Sequence, residues 1–177
     1  MTIEIVPIER RHIAGFRDVL DSVARERRFL AYTEAPPITQ VRRFVLNNLK
    51  DGTAHFVALD DGRVVGWCDI APKPRELMRH SGVVGMGIAA SHRGRGLGRR
   101  LLATTMDTAV AGGLTRIELV VRTDNTAAVG LYREFGFETE GVCRRYIVVD
   151  GTSFDVYLMA RLVSQVGPPM AGSAAAE

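Results

Sequence analysis

Cysteine is scarce in this chain: Cys68 and Cys143 are the only two, and they lie far apart without the spacing of a metal cluster. We expect free thiols, no disulfide and no metal. No apolar run approaches the roughly 20 residues that a membrane-spanning helix needs. Residues 1–4 lack the basic start and apolar core of a signal peptide, so we expect a cytoplasmic protein without membrane contact.

Lysine is scarce as well, because only Lys50 and Lys73 among the 23 basic residues are lysine. The net charge of +3 and the pI of about 9.2 raise the question of nucleic-acid binding. However, the arginines are spread along the chain and interleaved with acids. We therefore expect no nucleic-acid partner, and steeply salt-dependent binding to DNA or RNA would contradict that expectation.

The length of 177 residues, with 46% hydrophobic and 24% charged residues, is typical of one ordinary globular domain. We expect this domain to occupy residues 1–163. Residues 164–177 are mostly small residues, proline and glycine, which predicts a disordered tail.

Hydrophobic periodicity predicts the element order β-α-α-β-β-β-α-β-α-β-β. Strands are expected at about 3–8, 55–59, 64–70, 83–89 and 116–121, with two more flanking the Asp150-Gly151 turn and ending at 162. Helices are expected at about 10–29, from a Thr39 cap to Asp51, at 97–111 and at 125–135. The strand, helix and strand over 83–121 predict a right-handed parallel crossover, and hence a mixed α/β fold.

The most informative stretch is the glycine-rich turn at residues 93–102, which reads RGRGLGRRLL between a strand and a helix. Helix N-termini carry unpaired N–H groups and partial positive charge, and glycines let a backbone approach an anion closely. The turn therefore predicts a phosphate site. Arg99 stands where the dinucleotide pattern G-x-G-x-x-G needs its last glycine, and no P-loop motif occurs.

Two motifs in the correct order resemble the GNAT superfamily of acyl-CoA N-acyltransferases. The first is Arg93-x-x-Gly96-x-Gly98, and the second is N-x-x-A-x-x-x-Y-x-x-x-G-F over residues 125–137. With the flanking strands, the resemblance covers about residues 3–162. It implies a mixed, mostly antiparallel central sheet with a β-α-β crossover, splayed central strands and helices on both faces.

The resemblance also implies acetyl-CoA as co-substrate. The backbone of Met86, Gly87 and Ile88 would pair with the pantetheine arm, and Asn125, Ala128 and Tyr132 would lie along the arm toward the sulfur. The pyrophosphate would be held by Arg93, Gly94, Arg95, Gly96, Leu97, Gly98 and Arg99, mostly through backbone N–H groups, and His92 is a further candidate for phosphate.

The expected reaction is direct transfer of an acetyl group to the primary amine of a small molecule or peptide. Tyr132 is the candidate general acid, since the usual pKa of a tyrosine phenol, about 10, is close to the value of about 8.5 for a thiol. A backbone N–H near Gly87 or Ile88 is the candidate oxyanion donor. The alternative is an acyl-CoA sensor of the same fold without turnover.

The general base is less well defined by sequence. Some relatives carry a glutamate where this chain has Val120, and Glu118 lies two residues away on the same strand face. We therefore take Glu118 as the catalytic carboxylate, with Glu26, Glu34, Asp69 or a water relay as alternatives.

The resemblance implies an acceptor pocket between the first two helices and the last hairpin. That position suggests six lining residues: Glu26, Arg28, Tyr32, Glu34, Trp67 and Tyr146. Exposed strand edges and the habit of the family suggest a homodimer.

Overall fold

The computed structural model describes residues 3–163, so the predicted tail at 164–177 lies outside the described residues. Within these residues, seven strands and four α-helices follow in the predicted order. The strands are β1 (Glu4–Pro7), β2 (Ala54–Asp60), β3 (Arg63–Pro72), β4 (Ser81–Ile88), β5 (Arg116–Arg122), β6 (Glu138–Val149) and β7 (Thr152–Leu162). The helices are α1 (Ile13–Ala24), α2 (Ile38–Asp51), α3 (Leu97–Ala111) and α4 (Thr126–Glu134).

The strands form one seven-stranded sheet in the order β1-β2-β3-β4-β5-β7-β6. Five of the six neighbouring pairs are antiparallel, and only β4 and β5, which α3 connects, run parallel. This confirms the predicted mixed, mostly antiparallel sheet. The parallel pairing joins only Ser81–Val83 to Arg116–Glu118, and beyond it the two strands separate. The predicted splay of the central strands is therefore present.

Helices cover both faces of the sheet and divide the core into two clusters. Side chains of α1 and α2, such as Phe16 and Val45, pack on one face, and side chains of α3, such as Leu101, pack on the other. Successive residues of a strand point to opposite faces. Trp67 of β3 therefore joins the α1–α2 cluster, while its neighbour Cys68 joins the α3 cluster. Within residues 3–163, none of the helices has both the length and the apolar character that a membrane crossing requires.

Two helix boundaries differ from the prediction. The first helix was expected to reach residue 29 but ends at Ala24, because Arg27 adopts a left-handed conformation with φ of 52°. The chain then turns back, and the Ala35 N–H donates to Asp21 Oδ1 at 2.8 Å. Thr39 does not cap the second helix, which begins at Ile38 directly after Pro37 and has no side-chain cap.

Gly87 of β4 is a position where close packing requires glycine. It lies opposite Trp67 of β3, and a methyl group added to it would collide with the indole ring. We expect Gly87→Ala to destabilise the fold by about 1–3 kcal/mol, since the ring must shift within a close-packed core. Urea unfolding measures this change. Gly130→Ala is the matched control: Gly130 lies exposed inside α4 with open space around it, so the same change there should stabilise by about 0.5–1 kcal/mol.

Candidate active site

A groove opens where β4 and β5 separate, and we call it the β4–β5 groove. Residues of β4 after Val83 pair with β3 on one side only, and β5 continues to pair with β7, so the two edges that face each other lack strand pairing. The groove has a volume of about 480 Å³. Unpaired strand edges present N–H and C=O groups that an amide-containing chain can bind.

All of the predicted cofactor-binding residues except Arg95 line this groove: Met86, Gly87, Ile88, Arg93, Gly94, Gly96, Leu97, Gly98, Arg99, Asn125, Ala128 and Tyr132. His92 lines it as well. The first part of the list comes from β4, the glycine-rich turn and the start of α3, and the last part comes from α4 and its N-cap residue Asn125. The fold therefore brings two motifs that are about 30 residues apart in sequence to one groove.

The N-terminus of α3 forms one end of the groove and has the features of an anion site. Gly94 and Gly96 adopt positive φ angles of 71° and 74°, which glycine adopts without steric cost. The first amide of α3 with a backbone acceptor is that of Arg100, which donates to Gly96 O at 3.2 Å. Within residues 3–163, the amides of residues 97–99 have no protein acceptor. These amides fit a diphosphate.

The arginines of this turn are largely engaged by protein groups. Arg93 forms a bidentate ion pair with Glu26 at 2.7 and 2.5 Å, donates from Nε to Ile88 O at 2.8 Å and lies over the Phe29 ring. Arg99 pairs with Glu134 at 2.5 Å. His92 Nε2 lies 3.0 Å from Asp60 Oδ2. The backbone amides are therefore the main groups that this end of the groove offers to an anion.

Tyr132 of α4 reaches the groove from the α3 side of the sheet. It is 7% exposed, packs against Phe137 with ring centroids 5.7 Å apart, and makes no side-chain hydrogen bond to another described residue. A tyrosine phenol is protonated at neutral pH, and burial raises the pKa of Tyr132 further above its usual value. Asn125 positions this helix, because its side chain accepts from the Ala128 N–H at 3.3 Å.

A second cavity of about 500 Å³ lies beside the groove, enclosed by α1, α2, β3 and β4, and we call it the α1–α2 cavity. Leu30, Gly85 and Met86 line both spaces, so they adjoin. Two of the predicted acceptor residues, Tyr32 and Trp67, line the cavity.

The other predicted acceptor residues do not line the α1–α2 cavity. Glu26 is held by Arg93, and Glu34 is exposed and lies 3.4 Å from Arg25. Arg28 and Tyr146 are absent from the lining, and no lining residue comes from β6 or β7. The cavity therefore lies between the first two helices and strands β3 and β4, and the expected contribution of the last hairpin is not seen.

Glu118, the predicted catalytic carboxylate, lines neither space. It forms ion pairs with Lys73 and with Arg116, whose Nε lies 3.0 Å away. Burial acts to raise the pKa of Glu118, but the hydrogen bonds from Lys73 and Arg116 outweigh it and hold the pKa below its usual value. A carboxylate held in this way is a weak proton acceptor. Both observations weigh against Glu118 as the base.

Asp69 is the only carboxylate among the described residues that line the two spaces. It is 6% exposed, and burial raises its pKa to about 7, while a hydrogen bond from Trp67 opposes this shift to a smaller extent. It forms no ion pair with any residue in the described part of the chain. The sequence signal for Asp69 is an acid inside the apolar run VVGWCDI, but that signal alone does not show that the side chain faces a cavity.

Comparisons with known proteins agree with this geometry. Residues 18–137 match the family described as "Acetyltransferase (GNAT) family". The chain is 42% identical to the N-alpha-acetyltransferase RimI of Mycobacterium tuberculosis over 60% of this chain and 65% of that relative, just under two thirds of its length. It is 32% identical to the L-amino acid N-acetyltransferase AaaT of Escherichia coli over 64% of this chain and 70% of that relative.

The fold also matches solved structures. A GNAT superfamily phosphinothricin acetyltransferase from Sinorhizobium meliloti, solved in complex with acetyl-CoA, superposes with a TM-score of 0.87 at 19% identity, covering 98% of this chain and 96% of that one. Since the family match spans more than half of the sequence, the chain belongs to the GNAT family of acetyltransferases.

Proposed function

We propose that this protein is an N-acetyltransferase that transfers the acetyl group of acetyl-CoA to a primary amine. The observation that carries the proposal is the continuity of three features along one groove: free amides at the start of α3, unpaired edges of β4 and β5, and the Tyr132 phenol. The first fits a diphosphate, the second fits the amides of a pantetheine arm, and the third can donate a proton. Acetyl-CoA supplies the activated acyl group when bound.

Tyr132 acts as the general acid in this proposal. Its hydroxyl is protonated at neutral pH, as any phenol with a pKa near 10 is, and burial raises that pKa further. It faces the groove without a partner among the described side chains. A protonated phenol can donate to the sulfur that leaves from the thioester. Direct transfer needs no acyl-enzyme intermediate, which agrees with the burial of Cys68 in the α3 cluster, where its pKa is raised.

The amine enters through the α1–α2 cavity. Aromatic and aliphatic side chains, among them Phe16, Leu20, Phe44 and Trp67, form most of its lining. A volume of about 500 Å³ lies within the range of roughly 300–1,000 Å³ that small-molecule sites occupy. The acceptor is therefore a small amine on a compact apolar body, such as an apolar amino acid. The name of the Escherichia coli relative, an L-amino acid N-acetyltransferase, supports this class.

The test is release of free thiol from acetyl-CoA in the presence of an amine panel, with the acetylated product identified by mass. The panel contains L-phenylalanine, L-methionine, 2-phenylethylamine, spermidine and a peptide with a free N-terminal alanine. The first three should give the highest kcat/KM. Exclusive turnover of the peptide would instead favour a protein acceptor, for which the N-alpha-acetyltransferase relative is a precedent. Tight binding of acetyl-CoA without thiol release from any amine would favour the sensor alternative.

A further inference from the structure

We infer that Asp69 binds the acceptor amine and acts as the general base of the transfer, in place of Glu118. This inference rests on the proposed function. It assigns the catalytic carboxylate to β3, on the sheet face opposite Tyr132, with the reacting atoms between the two side chains at the splay of β4 and β5.

The geometry around Gly85 supports this assignment. Gly85 of β4 lies opposite Asp69 of β3, and a methyl group at Gly85 would be 2.9 Å from Asp69 Oδ1. The carboxylate therefore occupies the space that a side chain of β4 would fill. Gly85 also lines both the α1–α2 cavity and the β4–β5 groove. Asp69 is thus placed where an amine in the cavity would meet a thioester in the groove.

Among the described residues, Trp67 offers the Asp69 carboxylate a hydrogen bond, but no residue forms an ion pair with it, so it can bind an external cation. From β2, His55 faces Asp69, but its Nδ1 is paired with Asn48 at 3.1 Å, and burial lowers its pKa to about 3, so it is neutral. From α2, Arg43 lines the cavity without forming an ion pair with Asp69. Tyr32 lines the cavity from the segment after α1, and the lining residues of α1 itself, such as Phe16, are apolar. A buried carboxylate without a protein cation is costly, and an ammonium ion offsets that cost.

The proton and bond changes balance with Asp69 and Tyr132 in these roles. The ammonium loses one proton to Asp69, and the neutral amine then attacks the thioester carbon, forming the N–C bond. The C–S bond breaks with its electron pair on sulfur, which takes the Tyr132 proton. The second proton of the nitrogen returns through water to Tyr132, and Asp69 releases its proton to solvent. The products are the amide, the free thiol and one proton.

The pH dependence of kcat/KM for Asp69→Asn tests the inference, using the panel amine with the highest wild-type value. We expect a loss of about 100-fold at pH 7. The difference in kcat/KM between wild type and Asp69→Asn should narrow as the pH approaches the pKa of the amine, about 10 for an alkylamine. Near that pH, much of the amine is already neutral when it binds. At pH values below about 7, where Asp69 becomes protonated, the wild-type kcat/KM should decrease. The kcat/KM of Asp69→Asn should not show this acid decrease. The affinity for acetyl-CoA should not change, since Asp69 does not line the groove.

The control is Asp107→Asn, on the exposed face of α3, which should behave as wild type. An active wild type whose Asp69→Asn variant keeps its activity and pH profile would overturn this inference alone. A wild type without turnover for any amine would overturn the proposed function with it. If Asp69→Asn does not fold, carbon-13 NMR of aspartate-labelled wild type decides: the panel amine must shift the Asp69 carboxyl resonance, and an unchanged resonance overturns the inference.

Discussion

Replacing Tyr132 with phenylalanine should lower kcat by about 100-fold or more while leaving the affinity for acetyl-CoA within about threefold. The substitution removes only the phenolic oxygen. The ring keeps its packing against Phe137, and the side chain remains buried by the fold as before. Because the hydroxyl makes no side-chain hydrogen bond to another described residue, its loss leaves no protein group without a partner. Steady-state kinetics together with calorimetric titration of acetyl-CoA separate the two effects.

The matched control is Tyr157→Phe. Tyr157 lies half-buried on β7, outside the β4–β5 groove, with the Arg133 guanidinium 6.0 Å from its ring centroid. The same loss of an oxygen there should leave kcat unchanged. Equal rates for wild type and Tyr132→Phe would rule out proton donation by Tyr132. A weaker affinity with unchanged kcat would indicate that the hydroxyl serves only in binding.

Placing a negative charge at Gly94 should weaken CoA binding by about 100-fold. Gly94 lines the groove beside the free amides of α3, has a φ of 71°, and leaves open space where a side chain would begin. Aspartate is one of the residues that tolerate this backbone region. Gly94→Asp should therefore fold. A like charge about 4 Å from the diphosphate costs about 4 kcal/mol at an effective dielectric constant of 20, and salt screening reduces that cost.

Gly94→Asn is the control, because asparagine has the same shape, tolerates the same backbone region and carries no charge. The ratio of the two Kd values for CoA, measured by calorimetry at low salt, isolates the electrostatic contribution. That ratio should approach one at high salt, and it should be close to one at any salt for pantetheine, which lacks the diphosphate. Equal CoA affinities for the two variants at low salt would show that the diphosphate does not bind at this turn.

The residues that line the β4–β5 groove could be predicted from sequence because their determinants are local. A helix N-terminus after a glycine-rich turn is a property of adjacent residues, and so is the capped helix that carries Tyr132. The order of elements and the parallel β4–β5 pair also follow from local periodicity and from the crossover rule. The end of α1 was predicted less well, since a contact between Asp21 and Ala35 helps to turn the chain there.

The acceptor side could not be predicted in the same way, because its determinants are pairings between distant residues. The resemblance to the family favoured Glu118 as the base and Glu26 as an acceptor residue. However, Lys73 and Arg116 form ion pairs with Glu118, and Arg93, which is 67 positions away from Glu26 in sequence, forms an ion pair with Glu26. Sequence alone determined a glycine-rich turn at the start of α3, a tyrosine on α4 and an α/β order of elements. Only the tertiary structure decided which carboxylate lacks a cation and faces a cavity, because ion pairing and burial depend on neighbours that the fold assembles.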